Sequence, residues 1–146
     1  MLGWGANSYG QLGLGHTSEL EAKACRVPLV GEQVQAVVGG GGHTLALDKR
    51  AGHLFACGWN RFGQLGLGET EESVTLFRRV ESVEGVADIA AGWDFSLVLL
   101  ANGTVLASGS NRYGQLGKFV AFFMFKTIPL WSVLTAQLSN YVSSVV

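Results

Sequence analysis

A chain of 146 residues with ten basic and eleven acidic side chains has a formal net charge of −1. That balance gives no electrostatic reason to expect nucleic acid or an anionic membrane surface as a partner. With 48% apolar and only 14% charged residues, disorder through lack of hydrophobicity is excluded. The 21 glycines are about twice the usual share of roughly 7% and follow no G-X-Y period, so they mark many turns.

The amino terminus, "MLGWGANSYG", has neither the basic stretch nor the apolar run of a signal peptide. It opens inside a phrase that the chain repeats. "NSYGQLGLG" at 7–15 returns as "NRFGQLGLG" at 60–68 and as "NRYGQLG" at 111–117. The period extends beyond the phrase. Gly5, Gly58 and Gly109 correspond at steps of 53 and 51 residues, and "GGGHTLAL" at 40–47 matches "GWDFSLVL" at 92–99.

Each unit predicts short strands between turns. Apolar runs at 34–38 and 86–90 are a first strand, 44–47 and 96–99 a second, and 53–57 and 104–108 a third. The third is reached through a turn that reads Asn102-Gly103 in one repeat, a strong hairpin signal. A looser fourth strand fits 26–30 and 76–80, and no stretch of the repeats keeps a helical period. Four short strands per unit of about fifty residues predict a propeller blade, which buries its faces only against neighbours.

The phrase then reads as a scaffold turn after the third strand. Gly10, Gly63 and Gly114 supply positive φ or close backbone approach. Asn7, Asn60 and Asn111 hydrogen-bond nearby backbone. Leu12, Leu65 and Leu116 each offer one buried anchor, and Gln11, Gln64 and Gln115 satisfy backbone groups left unpaired by the irregular loop. A catalytic group has no reason to recur once per blade.

These residues carry a family likeness. The pattern G-x-[NS]-x-[YF]-G-Q-L-G, with G-x-x-[HF]-[ST]-L-x-L, resembles the repeat of the regulator of chromosome condensation family across residues 1–117. The resemblance implies an all-β fold, a partial β-propeller of about two blades of a seven-bladed type. Residues 1–15 are then the end of a first repeat, 16–68 a second and 69–117 a third. It implies a regulator of a small GTPase, with guanine nucleotide exchange linked to the secretion machinery, in the cytoplasm or nucleus and without a cofactor. The same repeats also occur in non-catalytic interaction modules, which is the alternative reading. Phe95 stands where the family usually has histidine and where His43 stands in the other repeat.

After residue 117 the pattern stops, and "KFVAFFMFKTIPLWSVLTAQLSNYVSSVV" at 118–146 is read as an apolar tail outside the repeats. Residues 119–138 reach the ~20 residues a bilayer span needs, but Lys126, Pro129 and Gln137 interrupt them. A non-family terminus is the preferred reading and a membrane anchor the alternative. Two blades bury little apolar area against a conformational entropy of about 1–2 kcal/mol per residue. Marginal stability of 1–117 alone, and a truncated form without activity, follow as expectations.

No constellation calls for catalysis or a metal. The glycines at 39–42 lack the Lys-Ser/Thr of a phosphate loop. His43 begins an apolar strand and reads as a packed blade residue. Asp48, Asp88 and Asp94 show no triad or paired-carboxylate spacing. His16 and His53 show no ligand spacing, and Cys25 and Cys57 no CxxC pattern. Glu69, Glu71 and Glu72 read as a solvated loop, and Arg78-Arg79 as too small a patch for DNA. Trp4 and Trp59 are expected to pack between blades. Trp93-Asp94, an aromatic beside an acid on a propeller rim, is the candidate protein-binding pair.

Overall fold

The computed structural model describes residues 1–29, 33–68, 71–116 and 122–127. Most of the 119–138 stretch considered as a membrane span lies outside the described residues, and so does Gly117. Among the described residues no helix is long and apolar enough to cross a membrane.

Among the described residues every element is a strand, in line with the all-β expectation. In chain order they are β1 (Leu2–Asn7), β2 (Ser18–Arg26), β3 (Ala36–Gly39), β4 (His43–Asp48), β5 (His53–Trp59), β6 (Ser73–Arg79), β7 (Val86–Ala91), β8 (Phe95–Leu100), β9 (Val105–Gly109) and β10 (Phe122–Thr127). They form three antiparallel sheets. β3-β4-β5-β6 is one four-stranded blade, β7-β8-β9-β10 a second, and β1-β2 a two-stranded pair. The registers repeat between blades, with His43 opposite Gly58 in one and Phe95 opposite Gly109 in the other.

The middle strand β4 is buried on both faces, between the β1-β2 pair and the second blade, and β8 is buried from Phe95 to Val98 and opens at Leu99. Alternation is therefore lost in "HTLALD" and "FSLVLL", which read as nearly continuous apolar runs. The main core lies between the two full blades. Leu45, Leu47 and Leu54 of one blade meet Val86, Ile89 and Val98 of the other there. Fully burying such a side chain is worth about 1.5–3 kcal/mol, so contact between blades contributes much of the stability of each.

The outer strands differ from the sequence expectation. The fourth strand expected at 26–30 is instead β2, and that expected at 76–80 is β6, which begins earlier, at Ser73. Apolar residues guided the expectation, yet the outermost strand faces solvent and carries charge, as in "SELEAKACR". Val27, just past β2, and Val80, just past β6, each carry their ladder one rung further with the side chain turned inward, while Val30 lies outside the described residues. The Val27 amide bonds the Met1 carbonyl at 3.2 Å, the Val80 amide bonds that of Leu54 at 2.9 Å, and both side chains are buried.

β10 falls within the segment that leaves the sequence pattern, yet it takes the fourth-strand place beside β9, with Phe122 opposite Gly109 and Thr127 opposite Leu106. Phe125 explains how. Its ring lies where a Cβ on Gly66 would stand, as the ring of Phe77 in β6 does for Gly13. An aromatic on the outer strand thus covers the preceding turn in both blades.

Candidate functional site

The repeated phrase forms the same hydrogen-bonded turn three times. The Oδ1 atoms of Asn7, Asn60 and Asn111 accept from the amides of Leu12, Leu65 and Leu116 at 3.1, 3.1 and 2.8 Å. The Oε1 atoms of Gln11, Gln64 and Gln115 accept from the amides of Tyr9, Phe62 and Tyr113 at 2.9, 3.0 and 2.8 Å. Between these bonds the backbone must turn left-handed, at φ 75°, 75° and 74° for Gly10, Gly63 and Gly114. A Cβ disfavours that conformation. Leu65 and Leu116 are fully buried, while Leu12 is half-buried and lines an open cleft of about 280 Å³ with Leu2, Trp4, Val37 and Phe77.

What each turn does next is a tertiary matter. The Gln11 carbonyl accepts from Thr44 Oγ1 at 2.7 Å and from Cys57 Sγ at 3.4 Å, both in the following blade. One blade on, the Gln64 carbonyl accepts from Ser96 Oγ at 2.7 Å and from Ser108 Oγ at 3.2 Å. The phrase is therefore a latch. Its side chains shape the turn, and the turn presents a carbonyl to hydroxyl or thiol donors on the next blade's second and third strands. Gly58 and Gly109 make room for it, because a Cβ on either would stand 3.1 Å from the Cα of Gln11 or Gln64.

His43 extends the second latch. It is 1% exposed, and its Nε2 lies 2.9 Å from Ser96 Oγ. The one proton of Ser96 Oγ goes to Gln64, so Nε2–H is the donor and the unpartnered Nδ1 carries no proton. Burial depresses the imidazole pKa to about 4, because the charged form would lose its hydration. His43 is thus a neutral structural donor. Burial likewise pushes the Cys57 thiol up, leaving it without thiolate reactivity at neutral pH.

Strand direction alternates, so the β3–β4 and β7–β8 turns open at the same end of the blades as the repeated phrases. That end carries an aromatic rim. Tyr9 stacks on Trp59 with ring centroids 5.1 Å apart, and Phe62 meets Trp59 edge-on at 5.4 Å. Trp59 packs across blades in this way. Trp4 does not: it is 65% exposed on β1, which pairs on one side with β2 and has no partner on its other edge among the described residues. The glycines at 39–42 serve blade approach. A Cβ on Gly41 would stand 2.8 Å from the Trp93 indole, and one on Gly42 would stand 2.9 Å from Tyr9.

Trp93 and Asp94 occupy the β7–β8 turn on this rim. The Trp93 carbonyl accepts from the Gly41 amide at 2.9 Å and the Asp94 carbonyl from the Ser110 amide at 2.8 Å, so both backbones are held. The side chains are differently placed. The Trp93 indole is 74% exposed, and the half-buried Asp94 keeps Oδ1 without a hydrogen-bond partner. Burial raises the Asp94 carboxyl above its ordinary pKa. Tyr113 is 83% exposed in the third copy of the repeated turn. Sequence reasoning missed its prominence, because the equivalent Tyr9 is covered in part by Trp59. The basic pair on β6 is engaged by acids, with Arg78 bonded to Glu71 at 2.7 Å and Arg79 facing Glu81 at 3.6 Å. Among the described residues no group of three His, Cys, Asp or Glu side chains could hold a metal ion.

Comparison with known proteins agrees with this architecture. The regulator of chromosome condensation (RCC1) repeat matches residues 1–47 and 51–99, and a second form of that repeat matches 34–64 and 86–115. The secretion-regulating guanine nucleotide exchange factor of Bos taurus is 48% identical over 120 residues, covering 80% of this chain and 25% of that protein. The Mus musculus protein of the same name is 44% identical over 124 residues, with the same coverage. The chain spans about a quarter of the length of these curated relatives. Among solved structures, Prp20p from Saccharomyces cerevisiae, described with its binding to Gsp1p and histones, superposes with a TM-score of 0.79. The match has 23% identity and covers 90% of this chain and 34% of that one. Human WBSCR16 superposes with a TM-score of 0.70 at 27% identity, covering 84% of this chain and 33% of that one. Repeat, blade topology and turn chemistry agree, and the chain is a member of the regulator of chromosome condensation repeat family.

Proposed function

We propose that this chain serves in the regulation of a small GTPase, as a guanine nucleotide exchange factor linked to secretion, and that it meets its partner through the aromatic rim at Trp93 and Asp94. The observation that carries the reading is the 48% identity to the secretion-regulating exchange factor over 80% of the chain. Nucleotide exchange asks no covalent chemistry of a propeller. It requires that the partner bind the nucleotide-free GTPase more tightly than the loaded one, so that binding shifts the GTPase toward release. A blade rim without a catalytic constellation is compatible with that demand. The test is the release rate of labelled GDP from purified small GTPases with and without the full chain; a rate unchanged at saturating chain overturns the exchange reading.

The second reading, a protein-interaction module without exchange activity, is favoured by one specific feature. Tyr9, Trp93 and Tyr113 are exposed aromatic side chains that need no exchange chemistry to bind protein. Binding of a GTPase without faster GDP release supports this reading over the first.

A further inference from the structure

We propose that Trp93 and Asp94 form a receptor for an arginine side chain of a protein partner. The inference rests on the reading of the rim as the partner-binding end and specifies what that end recognises. Backbone, exposure and charge all bear on it.

The backbone of the pair is fixed on both sides. The Trp93 carbonyl is bonded to Gly41 of the neighbouring blade and the Asp94 carbonyl to Ser110 of its own. An exposed side chain on a fixed backbone loses less freedom when a partner binds. The indole nevertheless has most of its surface in water, a poor use of the largest aromatic side chain unless something covers it.

Among the described residues the carboxylate has no cation beside it. The ion pairs among the described residues, His16–Glu21, Lys49–Asp88, Arg78–Glu71 and Arg79 with Glu81 and Glu84, leave Asp94 out. One of its oxygens is buried without any hydrogen bond. Burial raises its pKa. An exposed indole and, next to it in the chain, a half-buried acid are together complementary to a group that is cationic, flat and rich in N–H donors.

A guanidinium meets all three requirements at once. Its plane stacks on an indole through cation–π attraction, while N–H groups at its edge meet a carboxylate. An ammonium supplies the charge without the stacking plane. The same rim already shows half of this arrangement, since the Arg112 guanidinium lies 5.9 Å from the ring centroid of Tyr113.

The test is a titration of the full chain with N-acetyl-arginine amide, followed through the ¹⁵N–H resonance of the Trp93 indole, which Trp93→Phe identifies by its loss. The expected result is a saturable shift. Asp94→Asn should weaken it about tenfold, the effect of losing a charge-assisted hydrogen bond. N-acetyl-citrulline amide, the neutral isostere, should leave the resonance in place, and N-acetyl-lysine amide should bind more weakly than arginine. An equal response to citrulline, an equal response to lysine, or an Asp94→Asn chain that titrates like the parent overturns the proposal. Folding of each variant is checked by the dispersion of its amide spectrum. GDP release is a separate readout: capture of arginine without exchange sinks only the exchange reading, and exchange without capture sinks only this one.

Discussion

Ser96→Ala tests whether the repeated phrase is a latch between blades. The Ser96 hydroxyl is fully buried, donates to the Gln64 carbonyl at 2.7 Å and accepts from His43 Nε2 at 2.9 Å. Its removal leaves a buried imidazole N–H without an acceptor, a cost of about 1–3 kcal/mol, and it also removes one hydrogen bond worth about 0.5–1.5 kcal/mol. The sum is about 3 kcal/mol. Ser108→Ala provides the internal comparison. Ser108 donates to the same carbonyl at 3.2 Å, and its loss strands no donor because Ser96 still serves Gln64, so about 1 kcal/mol is expected. With a urea slope of about 1–3 kcal/mol/M, the midpoint of unfolding should fall by roughly 1–3 M for Ser96→Ala and by roughly 0.3–1 M for Ser108→Ala, about a threefold difference at any one slope. Equal midpoints for the two variants would refute the assignment of Ser96 as the shared node of the latch.

Three further outcomes follow from the same geometry. His43 has a folded pKa of about 4 against about 6.5 when unfolded, so the unfolded chain takes up its proton first as pH falls. The stability it contributes is therefore complete above pH 6.5 and is lost between about 6.5 and 4, by up to about 3 kcal/mol. Urea melts across that range should show the slope, and His43→Phe, which installs the residue found at position 95, should flatten it. Gly58→Ala and Gly109→Ala each place a methyl against the preceding turn at a positive φ and should cost more than about 2 kcal/mol. Gly85→Ala, also at positive φ but in open space, should cost only about 1 kcal/mol in the same melts. Phe125→Ala should lower stability by about 3 kcal/mol if the ring covers Gly66 as Phe77 covers Gly13; a change below about 0.5 kcal/mol would remove β10 from the blade.

The site was legible to different depths in different residues. The step of 51 to 53 residues between Gly5, Gly58 and Gly109 exposed the blade repeat. Strands buried over most of their length, such as β4 and β8, announced themselves as apolar runs. Charged β2 did not, because an outermost strand satisfies its backbone by pairing while its side chains remain in water. The likeness carried by "NSYGQLGLG" reached the family, and the chemistry that a partner meets at Trp93 and Asp94 depends on which side chains the turns leave uncovered.

Sequence alone determined the turn. Asn7 to Leu12 and Gln11 to Tyr9 are bonds spanning five and two residues, and a contact that short needs little beyond the residues themselves. Tertiary structure alone decided what the turn holds. The Gln64 carbonyl meets Ser96 and Ser108 across 32 and 44 residues of chain, and Phe125 reaches Gly66 from a segment whose composition had left the pattern. Such pairs form only when one blade packs on the next, because the hydrogen bond and the covered ring depend on where two distant backbones come to lie.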